Sequence, residues 1–156
     1  MPFEKKARLQ DLQRLHVDDR NQLRAWLEQN HLTSPGVWLL TYRRKTGRPR
    51  PGIDEIVEEL LCFGWIDSTM KKVDETETML LCTPRRPTSH WSRSNRDRVF
   101  RLTQQGLMRP RGLEVVALAQ ANGSFTSLEA VEGCTEPPDL SRLLDASQPA
   151  RQHWDA

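Results

Sequence analysis

The run Ile53-Asp54-Glu55-Ile56-Val57-Glu58-Glu59-Leu60-Leu61-Cys62-Phe63-Gly64-Trp65-Ile66-Asp67 sets two patterns side by side. Ile53, Ile56, Val57, Leu60 and Leu61 follow the i, i+3, i+4, i+7, i+8 spacing of a helix with one buried face. Gly64 suits a left-handed C-terminal cap. Trp65-Ile66-Asp67 then opens a strand that runs to about Val73. Asp74 to Glu77 forms a short polar turn, Thr78 to Thr83 returns as a strand, and Pro84 stops it. Strands joined by so short a turn pair as an antiparallel hairpin. The expected fold is α+β: a small antiparallel β-meander of about three strands or more, packed against several helices.

Upstream, Val37 to Tyr42 is a further strand, rich in β-branched and aromatic residues. Before it, Leu23, Trp26 and Leu27 share a helical face, with Asp18 and Asp19 as capping residues and Thr33-Ser34-Pro35-Gly36 as the stop. The first seventeen residues are polar, with Leu9, Leu12 and Leu15 spaced by three, and read as a loose helical lead-in. Downstream, Ser92 caps a helix from Arg93 to about Gln105, and Pro110 opens another that ends at Asn122-Gly123. A last helix is predicted from about Asp139 to Ala146, and Pro149 opens one more. The expected organisation is a lead-in (1–17), a single domain (18–135) and a helical tail (136–156).

The 156 residues carry a net charge of +2, three cysteines and four histidines. Cys62, Cys82 and Cys134 form no C-x-x-C pair, and no two histidines stand at i, i+4, which argues against a disulfide framework or a structural metal. Cys62 and Cys82 read as small core residues and Cys134 as an exposed, incidental thiol. The N-terminus lacks the apolar stretch of a secretory signal, and the longest apolar run, Leu60 to Ile66, is far short of the ~20 residues that span a bilayer. A cytoplasmic chain with no membrane insertion and no cofactor is expected.

The small net charge hides strong segregation. Residues 43–52 carry five basic side chains and no acid, and residues 85–111 carry eight arginines against Asp97 alone. Residues 53–84 and 112–156 are acidic. Guanidinium groups offer planar bidentate donors to phosphate or carboxylate, and an exposed Trp beside them adds a stacking face. The segment 85–111 is therefore the expected anion-binding face. Its bland alternative is that its arginines pair with the acidic helix at 54–59 or the acidic tail, where exposed pairs contribute only about 0–1 kcal/mol each. In Ser89-His90-Trp91-Ser92-Arg93-Ser94-Asn95, adjacent Ser and His point to opposite faces of an extended chain, so capping by Ser92, with Trp91 before it able to pack as a staple, is preferred over catalysis. Asp67 is the one acid within an apolar run. It is either a functional acid or the partner of a nearby arginine.

Three segments resemble the YdeI/OmpD-associated proteins: Leu61-Cys62-Phe63-Gly64-Trp65-Ile66-Asp67, Thr83-Pro84-Arg85-Arg86-x-x-Ser89-x-Trp91-Ser92-x-x-Asn95, and Gly106-x-Met108-x-Pro110-x-Gly112-Leu113. Trp26-Leu27-Glu28-x-Asn30-His31 leading to Gly36-Val37-Trp38-Leu39 is similar as well. The resemblance spans roughly residues 20–135. It implies a YjbR/CyaY-like α+β arrangement, a bacteriocin-protection or porin-associated label, and no assigned catalytic residue. It also implies that 136–156 is the truncated opening of a longer helical segment. The expected function is a non-enzymatic binding domain for nucleic acid or a phosphorylated ligand, through Lys71, Lys72, Arg85, Arg86, Ser89, Trp91, Arg93 and Asn95. The alternative is a stress or bacteriocin-protection protein acting through a protein partner; a small hydrolase ranks below both.

Overall fold

The computed structural model describes residues 8–133 and 138–155. Cys134 and the expected domain boundary at 135/136 lie outside the described residues. The chain runs β1 (Gln13–His16), α1 (Arg20–Asn30), β2 (Val37–Tyr42), α2 (Ile53–Cys62), β3 (Trp65–Lys72), β4 (Glu77–Pro84), α3 (Arg93–Gln104), α4 (Pro110–Asn122), α5 (Glu129–Glu132), α6 (Pro138–Asp145) and α7 (Gln148–Asp155). The fold is α+β, with a four-stranded sheet in the order β1-β2-β4-β3.

The hairpin forms as the spacing predicts. β3 and β4 are antiparallel, and Asp74 Oδ1 closes their turn by accepting from the amides of Thr76 (2.6 Å) and Glu77 (2.9 Å). β4 also pairs antiparallel with β2. The sheet differs from a simple meander first in its order: β4 stands between β2 and β3, because α2 returns the chain so that β3 runs the same way as β2. Parallel strands need a crossover of about a dozen residues or more, usually helical, and α2 with its flanks supplies one.

The same logic corrects the lead-in. Leu9–Asp11 is a single 3₁₀ turn, and Gln13–His16 is a strand, parallel to β2 with Arg14 opposite Trp38. α1 is the crossover between β1 and β2, so the sheet begins before the expected boundary at residue 18. Leu12, extended just before β1, and Leu15 within it are three apart and face opposite sides. Leu15 joins the main core, whereas Leu12 packs with Trp38 and Leu81 on the far face.

The main core lies between the sheet and its helices, built from Val37, Leu39, Leu80 and Cys82 against Leu23, Leu27, Ile56, Leu60 and Phe63. The expected caps are present. Asp19 accepts from the Gln22 amide and Ser92 from the Asn95 amide, Pro110 starts α4, and Gly123 ends it with positive φ. Two glycines let backbones meet. Gly64, at φ +74°, turns α2 into β3, and its carbonyl accepts from the Arg85 amide at 2.9 Å. At Gly112, a Cβ would stand 2.2 Å from the Cys62 carbonyl oxygen, so α4 crosses the end of α2 in direct backbone contact.

Candidate functional site

The expected anion-binding residues do not assemble into one surface. Trp91 is 1% exposed and packs against Phe125, its ring centroid 5.2 Å away, so it offers no stacking face. The reason is local. Ser92 caps α3, and the residue before the cap is drawn under the helix into the core. Arg85, 4% exposed, lies over the Trp91 ring at 4.0 Å and donates from Nη1 to the His90 carbonyl at 3.1 Å. Burial lowers its pKa to about 10, against the pull of the Asp67 carboxylate. Among the described residues, Arg85 Nε and Trp91 Nε1 have no hydrogen-bond partner. Arg85 is thus a core guanidinium rather than a surface one, a correction to its place in the expected site.

The other positions are scattered. Lys71 lies over Trp38 at 5.2 Å, and Lys72 pairs with Glu75 beside the hairpin turn. Arg86 is exposed, Ser89 donates its amide to the Arg86 carbonyl, and the Arg93 amide donates to Glu132 at 2.6 Å. Asn95 Oδ1 accepts from Arg98 at 3.0 Å. Asp67 is half-buried, opposite Cys82 in the register. Burial first, then the Asp67 charge, pushes the Cys82 thiol up. Asp67 acts electrostatically on Arg85 without an ion pair within 4.0 Å. His90 Nδ1 meets Ser127 Oγ at 2.7 Å, and that hydroxyl donates to the Ser124 carbonyl at 3.0 Å. Ser89, His90 and Asn95 are therefore each held by different partners, and Asp67 sits apart from them on β3.

Five further arginines of this block are engaged, all but Arg109 as the bland alternative describes, whereas Arg86 and Arg93 have no carboxylate within 4.0 Å among the described residues. Arg98 reaches Asp54 at 2.6 Å and Arg101 reaches Glu58, both on α2; Arg96 reaches Glu132 at 2.8 Å. Arg109 and Arg111 pair with Glu28 and Glu114. The innermost of these charges is Glu59, buried on α2 between two arginines of α1. Arg20 donates to Oε1 from Nε (2.9 Å) and Nη2 (2.7 Å), and Arg24 donates to Oε2 at 2.8 Å. Both carboxylate oxygens are thereby occupied, and the group ties α1 to α2.

A different cationic surface is built by residues 43–50. β2 ends at Tyr42 and the chain leaves through the Gly/Pro-rich loop to α2. The open end of the sheet's inner face and the first turn of α2 enclose a cleft of about 320 Å³. Its floor is Thr41, Met70, Leu80, Ile53 and Ile56, and Arg43, Arg44, Lys45 and Arg50 stand around it. Glu75, 71% exposed on the hairpin turn, is the counter-ion to three cations: Lys45 at 2.8 Å, Arg43 at 3.6 Å, and Lys72. Hydrogen bonds from Lys45 and Lys72 hold its carboxyl below the usual range. Among the described residues, Arg44, Arg48 and Arg50 have no carboxylate within 4.0 Å; Arg48 instead lies over Tyr42 at 4.8 Å. The acids at the start of α2 are turned to other uses, Asp54 to Arg98 and Glu55 to the Gly52 amide. Thr41 is 8% exposed, and its hydroxyl makes no hydrogen bond to a described residue. The run 43–52 was visible in the sequence as a charge block; the cleft beneath it was not.

Among the described residues, no group of three or more His, Cys, Asp or Glu side chains gathers to hold a metal, and no helix is long and apolar enough to cross a membrane. Fold and site together define a small α+β domain with a mixed four-stranded sheet and a cation-rimmed cleft. Residues 15–115, well over half of the chain, match a domain of unknown function, DUF8412, and the chain belongs to that family. No curated protein and no solved structure matches it. The match runs from β1 into α4 and contains the entire cleft.

Proposed function

We propose that this protein is a non-enzymatic binding domain for a small anionic ligand, and that the cleft under residues 43–50, rather than the segment 85–111, receives it. The observation that carries this reading is the imbalance of charge. Three cations share the single exposed carboxylate of Glu75, while Arg44 and Arg50 stand at the same cleft with none. Guanidinium groups without internal partners are ready bidentate donors to phosphate or carboxylate. The cations surround a concavity instead of forming a stripe along a helix, which favours a small ligand over a nucleic-acid polymer. The resemblance to YdeI/OmpD-associated proteins belongs to this proposal as a family relationship and not as a source of site residues. Five of its motif positions, Gly64, Arg85, Trp91, Ser92 and Gly112, serve packing or capping. A cytoplasmic setting is also part of it, in keeping with the buried free thiols of Cys62 and Cys82.

The experiment is a backbone amide NMR titration with inorganic phosphate and pyrophosphate at low salt. Shifts concentrated in residues 41–56 and 70–80, and lost in the double variant Arg44→Gln/Arg50→Gln, are expected. Shifts confined to residues 85–111, or tight binding of an oligonucleotide that the double variant leaves intact, overturn the assignment. A second reading, stress or bacteriocin protection through a protein partner, draws on the groove between α3 and α4, where Phe100 and Leu113 are exposed.

A further inference from the structure

We infer that the cleft takes an amphiphilic anion: an organic phosphate, sulfate or carboxylate whose apolar body lies on the floor while its charged head meets Arg44 and Arg50. This rests on the anion-binding reading above and specifies the rest of the ligand. The floor and the rim differ in chemistry. Ile56 and Leu80 are buried, but Ile53 is 44% and Met70 57% exposed, and both line the same cleft. A site for inorganic phosphate alone has no use for apolar side chains held at its floor. Ligand pockets commonly combine an apolar lining with a few convergent polar groups.

The volume limits the ligand. About 320 Å³ is near the lower end of the roughly 300–1,000 Å³ typical of ligand pockets, which suits a body of medium length. A nucleobase is disfavoured because no ring on the floor is free for stacking. Tyr42, the aromatic residue at the cleft, carries Arg48 over its face and meets His16 at 4.6 Å in an edge contact. Thr41, a residue only 8% exposed, adds a hydroxyl at the lining of the cleft. It is the floor's own donor or acceptor for a polar atom of the ligand.

The inference is tested by calorimetry with n-alkyl phosphates of two to twelve carbons below their micellar concentrations, against inorganic phosphate and the matched alkanols. Affinity should rise about three- to fourfold per methylene, the factor that follows from roughly 0.8 kcal/mol per buried CH₂, and then level off when the cleft is full. The double variant Ile53→Ser/Met70→Ser changes exposed residues, so the fold tolerates it; it should flatten this dependence and leave phosphate binding in place. Arg44→Gln/Arg50→Gln should weaken every member of the series by a similar factor and leave the chain-length dependence. Affinity that is independent of chain length while phosphate still binds overturns the amphiphile. Attachment to anionic phosphatidylglycerol vesicles without any such dependence for the monomers does so too. Failure of every anion to bind at low salt overturns instead the reading on which the inference rests.

Discussion

The arginines of residues 85–111 and the cations of residues 43–50 start from the same chemistry and end in opposite states. α3 is laid against α2, whose side chains Asp54 and Glu58 meet Arg98 and Arg101, and α5 closes on Arg96 through Glu132. The loop after β2 has no such neighbour. It faces one hairpin turn with one engaged acid, Glu75. Charge density along a sequence therefore says little about charge on a surface. What matters is whether the element carrying it packs against an element of opposite sign. In this molecule the fold pairs or buries most of the longer basic block, Arg86 and Arg93 excepted, and leaves Arg44, Arg48 and Arg50 of the shorter one without a carboxylate partner among the described residues.

The sharpest way to break the comparison is Trp91→Ala. As a surface stacking residue, Trp91 would affect binding and leave stability unchanged. As a core residue beneath Arg85, its truncation should cost about 3–5 kcal/mol, read as a lowered midpoint in urea unfolding. Anion affinity of the folded fraction should be unaltered.

A paired exchange of charges comes next. Arg98→Gln/Arg101→Gln removes two partly exposed ion pairs and should cost about 0–1 kcal/mol per pair, with anion affinity unchanged. Arg44→Gln/Arg50→Gln should do the reverse, changing stability by less than about 0.5 kcal/mol while reducing affinity. Equal effects of the two variants on both readouts would erase the distinction between the regions.

The smallest expected effect is a response to acid with opposite signs in the two regions. Glu132 is held below its ordinary 4.5, chiefly by the Arg93 amide and then by Arg96, and Glu75 is held below the same value by Lys45 and Lys72. Each depressed carboxyl stabilises its contacts above the ordinary value and loses them as pH falls through the lowered one. Around Glu132 this loosens the hold of α5 on α3. Around Glu75 it releases Lys45, Lys72 and Arg43, so an alkyl sulfate, which keeps its charge, should bind more tightly once the pH has fallen through the lowered value of Glu75. Amide shifts of residues 93–96 and sulfate affinity, followed over the same pH range, check both signs.

Much of the fold was legible because it rests on local rules. The apolar period of α2, the Asp74 turn, the Ser92 cap and Pro110 at the start of α4 all act within a few residues. β1 was not legible. Its four residues become a strand through parallel pairing with β2, twenty-odd positions away, and Leu9, Leu12 and Leu15 suit a helix as well as a strand until that partner is present. The site divided in the same way. The charge blocks could be counted, and the Ser92 cap left Trp91 readable as a staple as well as a stacking face; the packing of Phe125 against its ring decides for the core. The cleft joins β2, α2, β3 and β4, so its apolar floor emerges only once the sheet order is known.

The turn at Leu9–Asp11 bears on where this domain can be cut. The Leu9 carbonyl accepts from the Trp38 indole at 2.7 Å, and Leu12 packs beside that ring on the sheet face away from the helices. The family match starts at Leu15, after both of these contacts. A fragment trimmed to the match would bare the Trp38 indole and the apolar sheet face around it, an invitation to self-association. The contacts that roof Trp38 therefore lie N-terminal to the family boundary.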